Sequence, residues 1–294
     1  MNLFNLYNHL RRIRIDRKTI IIAMSFFIIH AVADSAETDR EITPPGTRGS
    51  VMIAVSAGDF MIGINPETDD GYDNYDDEKP YRKIYIDKFY IDKYEATVED
   101  YKECVKAREC KKLPTYQGRL GRVCNWQHKD RLNHPINCLS WEDADKLCKW
   151  AGKQLPTEAE WEKAARGVDG RKFPWGNQDA TCEYASFHEK DSIGSADWGC
   201  GTGITSPVGS MPKGVSPYGA MDMIGNANEW VSGWYFDDYY RKAPRKNPPG
   251  AKSGLSRIAR GGAFNDRAYA IRVTYRNAYP VADQYPGVRC VLKP

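Results

Sequence analysis

Cysteine is absent from two long stretches of this 294-residue sequence: none precedes Cys104, and none lies between Cys200 and Cys290. No two cysteines form a C-x-x-C pair, which removes zinc-knuckle and dithiol-redox chemistry of the usual spacing. No heptad run is present, and 12% aromatics with 25 Gly and 17 Pro exclude coiled coil, collagen and disorder. A clustered basic face, the footprint of a nucleic-acid binder, is also missing. The 42 Lys+Arg exceed the 39 Asp+Glu only because Arg11, Arg12, Arg14, Arg17 and Lys18 stand in the first 33 residues, against Asp16. Beyond that segment the chain is close to neutral, and its 41% hydrophobic residues are enough for one large domain or two ordinary ones.

What the N-terminus does contain is a basic cluster followed by the apolar run Ile20 to Val32. Thirteen residues reach about 20 Å as a helix, short of the ~30 Å hydrocarbon core. Ala31 and Ala33 make an A-x-A site, so residues 1–33 read as a signal peptide cleaved before Asp34, with an uncleaved anchor as the alternative. The expectation is an exported protein, periplasmic or extracellular if bacterial, with no stable membrane span after cleavage.

The eight cysteines all lie beyond that segment, and their even number suits an oxidising compartment. Eight allow 105 pairings. Sequence neighbours favour Cys104 with Cys110, Cys124 with Cys138 and Cys182 with Cys200, leaving Cys148 with Cys290. On the chain-entropy account the shortest closure is worth ~2 kcal/mol and the longest ~5 kcal/mol.

Residues 34–50 read as a polar linker and 51–294 as the domain. Strands are expected at Val51–Val55, Phe60–Ile64, Arg82–Ile91, Arg257–Arg260, Ile271–Tyr275 and Val288–Leu292. Between Glu67 and Glu78 stand seven carboxylates, read as a solvated loop rather than a cation site. Three helices carry N-cap signals: Thr97 with Asp100, Ser140 with Asp143, and Thr157 with Glu160, opening Val98–Arg108, Trp141–Ala151 and Glu158–Ala165. Residues 167–260 are rich in Gly, Pro, Trp, Tyr and Asn and need ties other than long secondary structure.

Six segments in order make the sequence recognisable: Asp87 to Thr97, His134 to Trp141, Ala151 to Glu162 with Phe173 to Gly176, Gly225 to Trp230, Arg260 to Phe264, and Gly287 to Cys290. Together they resemble the formylglycine-generating enzyme (sulfatase-modifying factor) family over about Val51 to Val291. The resemblance implies an α+β, C-type-lectin-like, loop-rich fold. In the founding activity two thiols shortly after the Gly-Gly equivalent to Gly261-Gly262 hold copper and oxidise a sulfatase cysteine. Here Ala263 to Arg272 contains no Cys, and Asn265 and Asp266 are poor ligands for soft Cu(I), so no copper is expected. An iron branch of the family needs several imidazoles, and the body offers only His128, His134 and His188. Other branches oxidise small molecules without either set of ligands, or have no established chemistry.

The resemblance also implies a calcium site at Asp222, Gly225, Ala227 and Glu229, two carboxylates and two carbonyls, which suits a hard cation. A second family calcium site corresponds to Ser186 and Cys200, and the Cys182 bridge is expected to replace it. Ala165 and the region of Val273 lack a family disulfide at both ends. A ligand groove is expected near Gly261 to Arg276, with Asn265, Asp266, Arg267, Arg272, Tyr275 and Arg276 as its polar groups; an internal salt-bridge network is the competing reading. Trp141, Trp161, Trp175 and Trp230 are expected in the core. The function expected is recognition or scaffolding of a protein, peptide or glycan, or alternatively a family oxidation of a protein or small molecule.

Overall fold

The computed structural model describes residues 41–69, 75–189, 197–280 and 286–294. The expected signal peptide lies outside the described residues. Residues 42–294 form one compact unit. The stretch expected as a linker is tied down at its end: the Arg48 N–H donates to the Ala151 carbonyl at 3.0 Å, and Lys153 Nζ donates to the Ser50 carbonyl.

Two antiparallel groups of strands come from the first third. β1 (Met52–Val55) pairs with β4 (Phe89–Asp92), placing Met52 opposite Asp92 and Val55 opposite Phe89. The C-terminal β8 (Val291–Leu292) joins the far side of β4, with Val291 opposite Ile91. β2 (Gly58–Ile62) pairs with β3 (Arg82–Ile86) in a separate sheet. The expected strand over Arg82–Ile91 is therefore two strands broken at Asp87-Lys88. A third sheet has the order β5 (Glu229–Trp234), β6 (Ser256–Arg260), β7 (Asn277–Pro280), with an irregularity between Trp230 and Trp234.

The helices start where their caps stand. Thr97 and Asp100 close a reciprocal capping box at α1 (Val98–Lys106), and Thr157 and Glu160 do the same at α4 (Glu158–Arg166). Ser140 accepts the Asp143 N–H at α3 (Trp141–Trp150). Two short helices, α2 (Gly118–Val123) and α5 (Tyr239–Lys242), carry no side-chain N-cap bond.

One apolar cluster joins the faces of β1–β4 to Trp161, Ala164 and Ala165 of α4, and the other gathers α1, α3 and Trp230. Trp161 and Trp230 are buried as expected, and each indole N–H finds an acceptor, on Glu229 and the Leu139 carbonyl. Trp141 and Trp175 are only partly buried. Trp175 stacks between Phe173 and Tyr184, while Arg257 lies 3.6 Å and 3.7 Å from the ring centres of Trp141 and Trp234. These are aromatic stacks at the core's rim.

The expected strand Ile271–Tyr275 does not form. Ala268–Ile271 is a 3-10 turn, and the Val273 N–H donates to the Lys172 carbonyl instead of a ladder. Ile271, Arg272, Val273 and Thr274 are all buried, so no face of the segment is turned to water as on a half-buried strand. The acidic stretch is likewise not all solvated. Asp69 and Glu78 are buried, and Glu78 accepts both terminal nitrogens of Arg272 at 2.7–2.8 Å. Residues 70–74 of that stretch lie outside the described residues.

All eight cysteines are paired as the sequence neighbours suggested: Cys104–Cys110, Cys124–Cys138, Cys148–Cys290 and Cys182–Cys200. The third ties α3 to the C-terminal segment across 142 residues.

Candidate functional site

β6 leads into Gly261-Gly262, and the turn that follows shapes a cleft. Both glycines have positive φ, 94° and 72°. A Cβ on Gly261 would stand 2.8 Å from the Met223 carbonyl oxygen, and one on Gly262 would stand 2.6 Å from the Ile271 side chain. No other residue allows that close passage. The turn then presents Ala263 to Asp266 to a cleft of about 330 Å³, whose far wall is α2, Trp198 and the disulfide-bonded Cys138. Asn137, Asn226, Ala227, Asn228 and Tyr279 complete its lining.

Most polar groups of this lining are held by the protein itself. Asn228 is the hub. Its oxygen accepts the Gly262 N–H at 3.0 Å and the Asn277 amide at 2.8 Å, and its nitrogen donates to Asp266 and Tyr279. Asn226 (φ 58°) donates to Glu95 at 2.6 Å and accepts the Ser206 N–H. Asn137 accepts the Asn125 N–H and donates to the Val123 carbonyl. Left-handed backbone at Asn226 and Cys138, unfavourable by roughly 1 kcal/mol for a non-glycine residue, is held at Asn226 by those hydrogen bonds and at Cys138 by the disulfide to Cys124.

Three groups differ. The Asp266 carboxylate uses Oδ2 for the Ala263 N–H and the Asn228 amide, while Oδ1 accepts nothing from a described residue. Burial pushes its carboxyl above the ordinary Asp range, and those two hydrogen bonds pull it back in part. The Asn265 amide has no hydrogen-bond partner among the described residues. Arg119 is exposed, its guanidinium carbon 4.5 Å from the Trp198 ring centre, and no described carboxylate pairs with it.

Of the six expected groove residues, the structure brings only Asn265 and Asp266 to the cleft. Arg272 is fully buried against Glu78, and Arg276 is buried against Glu158, donating to it at 2.7 Å. Tyr275 packs edge-on between Tyr75 and Tyr269, and Arg267 is exposed outside the cleft wall. The competing reading, an internal ionic network, therefore describes Arg272 and Arg276. That network includes Arg260, which joins Glu158 at 2.8 Å and Glu162 at 2.7 Å beneath Tyr240. Arg119, Trp198, Asn228 and Tyr279 were not foreseen. Asn228 sits inside a recognised segment, but nothing local in the sequence marks Arg119 or Trp198.

Asp222, Gly225, Ala227 and Glu229 lie along one turn leading into β5. Asp222 (φ 55°) accepts the Gly209 N–H through Oδ2, and the Gly225 and Ala227 carbonyls accept no hydrogen bond from a described residue. Glu229 is more committed, since its two oxygens take bonds from Arg289 at 2.9–3.1 Å and from the Trp161 indole at 2.6 Å. Glu95 lies close by, and burial together with the charges of Asp222 and Glu229 drives its carboxyl well above the ordinary range. Burial likewise raises Asp222 to about 6. Among the described residues, no three His, Cys, Asp or Glu side chains converge closely enough to hold a metal by themselves. At the second position, Ser186 is buried and hydrogen-bonded to Ser206 at 3.2 Å, and Cys200 is bonded to Cys182. Ala165 and Val273 are both buried in one apolar cluster, so packing occupies the place of the family disulfide.

The Sulfatase-modifying factor enzyme 1-like domain family matches residues 38–294. The formylglycine-generating enzyme of Mus musculus is 32% identical over 270 residues, covering 76% of this chain and 71% of that protein. The formylglycine-generating enzyme of Thermomonospora curvata is 28% identical over 299 residues, covering 83% and 93%. Among solved structures, PvdO from Pseudomonas aeruginosa superposes with a TM-score of 0.67 at 23% identity, covering 86% of this chain and all of that one. With six family segments in order, a Gly-Gly turn shaping the cleft and a match over nearly the whole described body, the chain belongs to the formylglycine-generating-enzyme (sulfatase-modifying factor) family.

Proposed function

We propose that this chain is an exported member of the family in which the cleft recognises a ligand and copper-dependent formylglycine synthesis has been given up. The observation that carries the reading is the fate of sulfur: all eight cysteines are in disulfides, and none is free. The turn after Gly261-Gly262 offers Asn265 and Asp266, hard oxygen donors that do not suit Cu(I). Four disulfides support export, since they persist in oxidising compartments, and the basic and apolar N-terminus supports the same route.

The test is a sulfatase-motif peptide incubated aerobically with the purified protein and Cu(I), in parallel with a peptide and glycan array. The expected outcome is no aldehyde by mass spectrometry and saturable capture on the array without turnover. Appearance of the aldehyde, or of an oxidised product of a captured ligand, overturns the reading in favour of a family oxidoreductase.

Calcium has a structural place in this proposal. Asp222 and the Gly225 and Ala227 carbonyls would hold it, with Glu229 contributing the lone pairs that Arg289 and Trp161 leave. The support is the charge balance: three buried carboxylates, Glu95, Asp222 and Glu229, face the one guanidinium of Arg289. A cation there would offset the excess. EDTA is expected to lower Tm by several degrees and added Ca²⁺ to restore it; a Tm indifferent to both overturns the site.

A further inference from the structure

The cleft contains one positive and one negative group that neither pair with each other nor meet an opposite charge among the described side chains. Arg119 stands at the α2 rim on the face of Trp198, which holds the guanidinium in place by cation–π attraction. Asp266 stands in the turn after Gly261-Gly262, its Oδ2 fixed by the Ala263 N–H and the Asn228 amide and its Oδ1 left open. The remaining amides of the lining are consumed internally, except that of Asn265. Several buried cations of this protein sit on a carboxylate: Arg272 on Glu78, Arg276 and Arg260 on Glu158, Arg289 on Glu229 and Lys153 on Asp92. Arg119 and Asp266 face one cavity, and neither has such a partner among the described side chains.

We propose that the cleft takes a dipolar ligand of the amino-acid class, its carboxylate on Arg119 and its ammonium on Asp266. The proposal rests on the recognition reading above and narrows it from peptide or glycan to a group carrying both charges, as a free amino acid or a peptide displays them. A guanidinium offers a carboxylate two parallel donors, and a carboxylate oxygen without a donor accepts from an ammonium. Complementary charges at the two ends fix the ligand's direction, and Asn265 can accept or donate beside the ammonium. The cavity of about 330 Å³ suits a compact ligand at the lower end of small-molecule sites. The Leu120, Val123 and Phe264 side chains supply apolar wall for the carbon chain between the charges.

The experiment uses the purified full chain and a ruler of ligands: glycine, β-alanine, γ-aminobutyrate and ε-aminocaproate, followed by saturation-transfer NMR and Trp fluorescence. One length is expected to saturate best. N-acetylation of that ligand, or methyl esterification of its carboxylate, is expected to weaken binding by about tenfold or more, the loss of a charge-assisted bond. Arg119→Gln is expected to weaken the free ligand by a similar factor and leave the ester unaffected. Asp266→Asn is expected to weaken the free ligand and leave the acetylated form unaffected, with each variant's Tm showing that it folds. Failure of every member to bind overturns the proposal, as does equal binding of the blocked forms or indifference to both variants. A neutral sugar or neutral peptide that binds and is lost on plugging the cleft with Asn265→Trp overturns the dipolar assignment alone. The recognition reading fails separately, if the array captures nothing.

Discussion

Arg272 shows what a single residue's partner can do to its meaning. In the sequence it stands beside Tyr275 and Arg276 after a Gly-Gly turn and looks like part of a polar groove. In the fold it is fully buried, bound to Glu78 from 194 residues away and to the Thr274 hydroxyl at 3.0 Å. Burial pushes the Glu78 carboxyl up, opposed by the Arg272 charge and hydrogen bonds. Removing the guanidinium therefore strands a buried carboxylate. Arg272→Gln is expected to cost ~3–5 kcal/mol in urea unfolding, with ligand binding unchanged in the fraction that folds. An apolar pair of similar volume at both positions is expected to recover much of that loss. A weakened ligand with unchanged stability would return Arg272 to the groove. Residue identity alone could not decide this, because the deciding partner is distant in sequence. Asn265 and Asp266 do line the cleft, because the turn that presents them follows directly on the Gly261-Gly262 pair from which the resemblance placed them.

Among the elements, legibility followed how locally each is specified. α1, α3 and α4 begin at the residues their caps name, because a cap is a contact within one turn. α2 and α5 lack a capping side chain and left no such mark. β4 illustrates a different dependence. Its last residue, Asp92, is held by Lys153 Nζ at 2.5 Å and by the Cys290 N–H at 3.1 Å, linking the strand to the turn after α3 and to the C-terminal segment. Burial raises the Asp92 carboxyl to about 6, with Lys153 pulling it down in part. Since the folded value lies above the unfolded one, near 3.8, the folded state binds the extra proton between those pH values. Asp92 therefore contributes stability that is fully present below pH ~4 and lost as pH rises through about 6. Subtracting the stability profile of the Asp92→Asn variant from that of the parent chain should leave a difference that favours the parent more at pH 4 than at pH 7. A difference that is flat or of the opposite slope would show that Lys153 sets the ionisation, not burial.

At the scale of the molecule, long helices and wide sheets do not hold the loop-rich middle in place. Buried ion pairs, stacked aromatics, the Cys182–Cys200 bond within it and the Cys148–Cys290 bond that spans it do much of that work. The Cys148–Cys290 bond spans the largest loop and joins α3 to the segment that carries Arg289 and β8. Arg289 in turn binds Glu229 and the carbonyls of Asp92, Lys93 and Met221, so the turn carrying the candidate calcium residues depends on the same segment. Cys104–Cys110 closes only six residues within one corner of the second apolar cluster. Chain entropy then orders the two bonds. Replacing Cys148 and Cys290 together by Ala is expected to cost ~5 kcal/mol, against ~2 kcal/mol for Cys104 and Cys110. The larger loss should also appear as a weaker Tm response to Ca²⁺, because a loosened C-terminal segment no longer positions Arg289 against Glu229. Guanidinium unfolding of the two double variants, each with and without Ca²⁺, measures both effects. Equal losses would mean that the unfolded chain is already compact around α3, and an unchanged Ca²⁺ response would separate that turn from the C-terminal tie.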